Sequence, residues 1–190
     1  MRYLDAVNGG VLVYDGAFGT YMQTKDLTAD DFGGPELEGC NEMLVLTRPD
    51  LVGEMHRAFL DVGVDVIETA TFGAFAVPLN EYGLADRTHE INLAAARIAR
   101  EAADAASTPD HPRFVAGSVG PGTKMPTLGH ITFADLRDAY EVQCRGLLEG
   151  GVDVLLIETQ YDLLGAKAGI VAARRAMAAT GVEVPLQVQV

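Results

Sequence analysis

Three acidic residues stand at positions where chemistry is to be expected. Asp15 follows the apolar run Val11-Leu12-Val13-Tyr14, Glu68 follows Val64-Asp65-Val66-Ile67, and Glu158 follows Val154-Leu155-Leu156-Ile157. Each is succeeded by a small or hydroxylated residue: Gly16, Thr69 and Thr159. An ionised carboxylate at the end of a buried aliphatic run must be paired or must face a ligand, because burying it alone is costly. A carboxylate so placed accepts hydrogen bonds from an ammonium group. Gly16 and Gly19 let the backbone turn sharply after Asp15 and come close to a ligand. Thr71, three residues beyond Glu68, offers its hydroxyl or backbone to a ligand carboxylate. The plainer alternatives are a capping role for Asp15 at a tight turn, and pairing of Glu68 and Glu158 with lysine or arginine on neighbouring strand ends.

Other candidates carry less. Residues 117–122 (Gly-Ser-Val-Gly-Pro-Gly) are glycine-rich, but the Gly-Lys-Ser/Thr ending of a phosphate loop is missing and Lys124 is displaced. A loop over the rim of a site is the expectation there. Cys40 and Cys144 are far apart, in no Cys-x-x-Cys and near no histidine at ligand spacing, so they predict neither a disulfide framework nor a metal site. His56, His89, His111 and His130 are scattered and are assigned surface or packing roles.

The elements that position the carboxylates follow from periodicity. Five short apolar runs, at 11–14, 64–67, 114–116, 154–157 and 184–190, are too short for helices and suit buried parallel strands. Helical patterns separate them. Thr47 is expected to cap a helix with Pro49 in its first turn, an apolar stripe of Leu51, Met55, Ala58, Phe59 and Val62, and Gly63 at its end. Residues 86–106 place Ile91, Ala95, Ile98 and Ala102 on one face. Thr132 caps a helix with Leu136, Tyr140, Cys144 and Leu147 in register, stopped by Gly150-Gly151. Asp162 caps the last, residues 163–179, which ends at Gly181.

Alternating β and α elements predict an α/β fold with a parallel sheet. A doubly wound sheet and a (β/α)8 TIM-type barrel share this order. The barrel is favoured because it gathers all strand-end residues at one C-terminal face, whereas an open sheet spreads them along an edge. The near-repeat of residues 63–69 in residues 151–159 supports similar stations of one barrel. Five strands of eight, with no helix after Val190, predict an incomplete barrel.

The 190 residues are 48% hydrophobic and 22% charged, which suits a globular domain and excludes a disordered chain. No apolar run is long enough for a membrane span and no signal peptide is visible, so no membrane association and a cytoplasmic location are expected. The net charge of −13 opposes a phosphate backbone and argues against nucleic acid.

Taken in order, several segments resemble the homocysteine S-methyltransferase family, above all the homocysteine-binding module that opens the cobalamin-dependent methionine synthases. They are Asp15-Gly-Ala-Phe-Gly-Thr-Tyr-Met-Gln23, Gly39-Cys-Asn-Glu-Met-Leu-Val-Leu-Thr-Arg-Pro-Asp50 and the stretch from Ala58 to Phe72. Glu90-Ile-Asn92, Val115-Ala-Gly-Ser-Val-Gly-Pro121, Ile131-Thr-Phe133, the stretch from Glu149 to Thr159, and Asp162-Leu-Leu-Gly-Ala-Lys167 complete the set. The resemblance implies that residues 1–190 are the N-terminal portion of a homocysteine-binding barrel. It implies a methyltransferase that passes a methyl group, from methylcobalamin, to zinc-activated homocysteine to give methionine. Asp15, Gly16 and Glu158, with Thr71 and Glu68, would grip the amino-acid part of homocysteine. The family holds zinc with three cysteine thiolates on later strands, so the ligands are expected beyond residue 190, and Cys40 and Cys144 do not match them. No catalytic residue is therefore assigned within this chain, and alone it is expected to be inactive. Implied partners are the cobalamin and folate modules of a longer chain. The alternatives are a stand-alone homocysteine S-methyltransferase with a sulfonium or betaine donor, and a non-catalytic half-barrel binding module.

Overall fold

A computed structural model describes residues 2–190. Four parallel strands lie side by side in chain order: β1 (Val66–Glu68), β2 (Phe114–Val119), β3 (Val154–Ile157) and β4 (Leu186–Val188). Helix Pro49–Asp61 precedes β1, and helices Thr88–Ala106, Phe133–Gly150 and Leu163–Thr180 make the three crossovers. The strand order never reverses, unlike that of a doubly wound sheet, so the α/β reading holds with a single direction of winding.

Strand alternation divides the apolar residues between two faces. Ile67, Val115, Val119, Leu155 and Ile157 pack against the crossover helices. Val66, Phe114, Ala116, Val154 and Leu156 form a second cluster on the other face with Tyr3. Each fully buried Leu, Ile or Val here contributes about 1.5–3 kcal/mol. The cover on that second face is helix Tyr3–Gly9, which the sequence analysis did not anticipate. The Tyr3 ring meets Phe114 edge-on at 5.6 Å, and its hydroxyl lies 2.6 Å from that of Tyr14 and 2.8 Å from Gln187 Oε1. This polar knot closes the N-terminal end of the inner face. At the other end of the same face lie Glu68, two residues beyond Val66, Ser118, two beyond Ala116, and Glu158, two beyond Leu156.

The first expected strand is not formed as a strand. Residues 11–14 make one isolated parallel bridge, Tyr14 to Val66. The ladder stops there because its next partners are engaged elsewhere. Arg113 donates to the Val64 carbonyl, and the Val13 N–H goes to Asp65 Oδ2 at 2.8 Å. Val11 is accordingly 90% exposed. β1 starts two residues later than expected for the same reason. β2 runs further than expected, to Val119, so Gly117 and Ser118 belong to a buried strand and not to a rim loop.

Helix details follow the sequence with two exceptions. Arg48, not Thr47, holds the N-cap position of Pro49–Asp61, while the Thr47 hydroxyl donates back to the Met43 carbonyl at 3.1 Å. The buried stripe of that helix is Val52, Met55, His56 and Leu60; Ala58 is exposed and Val62 is 79% exposed beyond the helix end. Thr132 and Asp162 cap as expected, accepting from Asp135 N–H and from the Leu164 and Gly165 N–H groups respectively. Helices Thr88–Ala106 and Phe133–Gly150 approach closely at Gly146, where a Cβ would lie 2.7 Å from the His89 carbonyl oxygen.

Candidate active site

A cavity of about 480 Å³ opens at the C-terminal ends of the strands. Its wall contains four carboxylates, Asp15, Glu42, Glu68 and Glu158, and no lysine, arginine or histidine. Three of the four are the strand-end residues singled out by sequence, and the structure brings them together.

Asp15 is fixed by the bridge between residue 14 and β1. Its N–H donates to the Val66 carbonyl at 3.0 Å, and both its carboxylate oxygens accept the Glu68 N–H at 3.1 Å. It does not cap a helix: helix Phe18–Met22 has Ala17 at its N-cap and no side-chain cap. Burial pushes the Asp15 carboxyl up to about 7, opposed by its backbone hydrogen bonds and reinforced by Glu158. Gly16 also lines the cavity, but for space and not for a turn. Neither Gly16 nor Gly19 has a positive φ, while a Cβ on Gly16 would stand 3.2 Å from the Phe59 ring.

Glu158 leaves β3 with its N–H on the Val119 carbonyl at 3.1 Å, and Ser118 Oγ donates to its Oε1 at 2.6 Å. The next residue, Thr159, has φ 57°. A β-branched residue in this left-handed region costs about 1–2 kcal/mol, and the chain turns out of the strand there. Glu68 and Glu158 line the same cavity. Burial, then Glu158, then Asp15 push the Glu68 carboxyl up to about 8. None of Asp15, Glu68 and Glu158 makes an ion pair among the described residues. Pairing with a neighbouring lysine or arginine is therefore not how these groups are accommodated.

Thr71 lines the cavity, but its hydroxyl is engaged. It donates to the Ser118 carbonyl at 2.7 Å and lies 2.6 Å from Thr69 Oγ1, which in turn accepts the Ser118 N–H at 3.0 Å. Gln143 Nε2 donates to the Thr71 carbonyl at 2.7 Å. This network ties the loop after β1 to β2 and fixes the wall.

Sequence reasoning missed Glu42, Ser118 and Phe72. Glu42 is half-buried; its Oε1 accepts the Gly73 N–H at 3.0 Å, and burial raises its carboxyl. Asn92 helps from behind, donating to the Ala74 carbonyl at 2.6 Å. Phe72, 44% exposed, forms an apolar wall, seated on Gly120, where a Cβ would lie 2.7 Å from the ring. The only signal for Glu42 and Asn92 was their place in the quoted family segments.

The two thiols are not suited to a metal. Cys40 and Cys144 are both buried and free, and burial pushes them up to about 11 and about 12. No group of three His, Cys, Asp or Glu side chains is placed to hold a metal ion among the described residues. His56 is fully buried with both ring nitrogens unpartnered and is pushed down to about 4 by burial, which keeps it neutral and fits its packing role.

Residues 12–190 match the family described as homocysteine S-methyltransferase. The chain belongs to that family. Methionine synthase of Mycobacterium tuberculosis is 48% identical over 183 residues, covering 96% of this chain and 15% of that protein. Methionine synthase of Mycobacterium leprae is 46% identical over 187 residues, covering 98% of this chain and 15% of that protein. The chain thus spans about 15% of the length of these relatives. Among solved structures, the metallated form of the homocysteine methyltransferase MmuM from Escherichia coli has a TM-score of 0.74 at 20% identity, covering 95% of this chain and 64% of that one. Its oxidised form has a TM-score of 0.72 at 20% identity, with 93% and 61% covered. The fold is therefore that of the homocysteine methyltransferases.

Proposed function

We propose that residues 1–190 are the N-terminal portion of a homocysteine-binding (β/α)8 barrel, and that the cavity holds the amino-acid end of homocysteine. The enzyme would transfer a methyl group, from methylcobalamin, to homocysteine to give methionine. The observation that carries this reading is the convergence of Asp15, Glu68 and Glu158 on one cavity with no cation in its wall. A site with excess carboxylate and no partner suits a ligand that brings its own ammonium. Asp15 and Glu158 accept hydrogen bonds from that ammonium, Gly16 lets the backbone approach, Thr71 and Ser118 hold the wall in shape, and Phe72 covers the ligand's methylenes. Each charge-assisted hydrogen bond contributes about 1.5–3 kcal/mol.

The buried Cys40 and Cys144 thiols do not fit a zinc site, which supports zinc ligands supplied from beyond residue 190. The identity to methionine synthases, and the 15% of their length that the chain spans, support cobalamin and folate modules of the same longer chain as partners. No helix among the described residues is long and apolar enough to cross a membrane.

The test is Glu158→Gln in the full-length protein. Homocysteine affinity should fall by about 10- to 100-fold, the loss of one charge-assisted bond, while zinc content stays normal. Unchanged affinity would remove Glu158 from the site.

A further inference from the structure

Ser118 joins two parts of the cavity wall. It stands on the inner face of β2, two residues beyond Ala116, and is buried. Its hydroxyl donates to Glu158 Oε1 at 2.6 Å, from one strand to the end of the next. An ionised carboxylate only accepts, so the single hydroxyl proton is committed to this bond. The residue that carries the hydroxyl is itself fixed. Its N–H donates to Thr69 Oγ1 at 3.0 Å, and its carbonyl accepts from Thr71 Oγ1 at 2.7 Å and from Gln143 Nε2 at 3.4 Å.

The Glu158 side chain has little else to restrain it. Its Oε2 takes Thr159 Oγ1 at a long 3.4 Å, and no lysine, arginine or histidine lines the cavity. A half-buried glutamate held on one oxygen by a short bond keeps one rotamer; without that bond its χ angles are free. Asp15 differs. Both its oxygens take the Glu68 N–H, a backbone donor that no side-chain change removes. Packing does not explain the serine, because Ala116 fills the preceding station on the same face and a hydroxyl buried there without a partner is a cost.

We propose, on the amino-acid reading of the cavity given above, that Ser118 is a positioning residue: its hydroxyl holds Glu158 Oε1 so that Oε2 is presented to the substrate ammonium. Glu158 makes the charged contact, and Ser118 acts through it. The ligand then meets a carboxylate already in place and does not itself have to order a long side chain. Strand register supplies the alignment. Ser118 lies opposite Leu156 in the β2–β3 pairing, and Glu158 follows two residues later on the same face.

The experiment measures L-homocysteine binding by calorimetry in the full-length protein, for the wild type, Ser118→Ala, Glu158→Ala and the double variant. Ser118→Ala should weaken binding about 3- to 10-fold with an unchanged number of sites per chain, since the ligand must now order one glutamate. A serine that only supports the fold would lower the number of competent sites and leave their affinity unchanged, and that result would overturn the proposal. In the Glu158→Ala background Ser118 has nothing to orient, so its replacement should change affinity by less than about twofold. The same loss in both backgrounds would also overturn it. Glu158→Ala with wild-type affinity would overturn the amino-acid reading, and the positioning role with it. A weakened Glu158→Ala beside an unaffected Ser118→Ala would remove Ser118 alone. The structure of the wild-type protein with homocysteine bound decides the question even where a variant fails to fold or to bind. The Ser118 hydroxyl should stay on Glu158 Oε1 with the ammonium on Oε2; a hydroxyl turned to another partner would overturn the proposal.

Discussion

Replacing Glu68 by glutamine should make the chain more stable at mildly alkaline pH, although the residue lies in the proposed binding cavity. The Glu68 carboxyl is raised from 4.5 to about 8 on folding, with burial as the largest cause. The folded state therefore holds a proton that the unfolded state has already released, and stability falls as pH rises towards 8. One such proton corresponds to about 1.4 kcal/mol per pH unit, or roughly 2 kcal/mol between about pH 6.5 and 8. Glu68 retains some contact with solvent, and half of this, ~1 kcal/mol, is a fair expectation. Asp15, raised to about 7, acts in the same direction. His56 acts oppositely but lower down: pushed from 6.5 to about 4, it makes stability rise with pH only across that interval. The window above 6.5 isolates the carboxylates. Urea unfolding of the ligand-free chain at the two pH values, with unchanged m, is the assay. The wild-type chain should lose about 1–2 kcal/mol across the window, and Glu68→Gln less than half of that. A wild-type chain equally stable at both, or a variant with the full slope, would refute the reasoning.

Gly146→Ala should destabilise the chain by about 1–3 kcal/mol in urea unfolding, because the added methyl meets the His89 backbone carbonyl, which cannot yield as a side chain would. Gly120→Ala should displace the Phe72 ring and weaken homocysteine binding several-fold without unfolding the chain; an unchanged affinity would show that Phe72 does not touch the ligand. Cys40→Ser and Cys144→Ser in the full-length protein should each leave zinc stoichiometry intact, read by metal analysis, since both thiols are buried away from the cavity.

The site was legible to the extent that it depends on local order. Asp15, Glu68 and Glu158 follow apolar runs, and alternation places Glu68 and Glu158 on the inner face at the strand ends, while Asp15 reaches the same cavity through its hydrogen bond from the Glu68 N–H. Asp162 and Thr132 cap because an Asx or Thr side chain satisfies N–H groups within three residues, a contact that sequence spacing reveals. What escaped depends on partners distant in sequence. The run at 11–14 has strand composition, but Arg113 engages the Val64 carbonyl that would have extended its ladder. Thr71 has the residue type of a ligand contact, yet its hydroxyl is engaged by Ser118 on the next strand. Glu42 sits on a short 3-10 turn with no periodic pattern around it, and only the fold brings it to Gly73. Helix Tyr3–Gly9 has one buried residue, Tyr3, so it lacks an apolar stripe to announce it.

The cavity's role is tested most directly by a crystal structure of the full-length protein with homocysteine bound. The account predicts the ammonium within hydrogen-bonding distance of the Asp15 and Glu158 carboxylates, beside the Phe72 ring. Homocysteine bound with its ammonium away from these two carboxylates would contradict it.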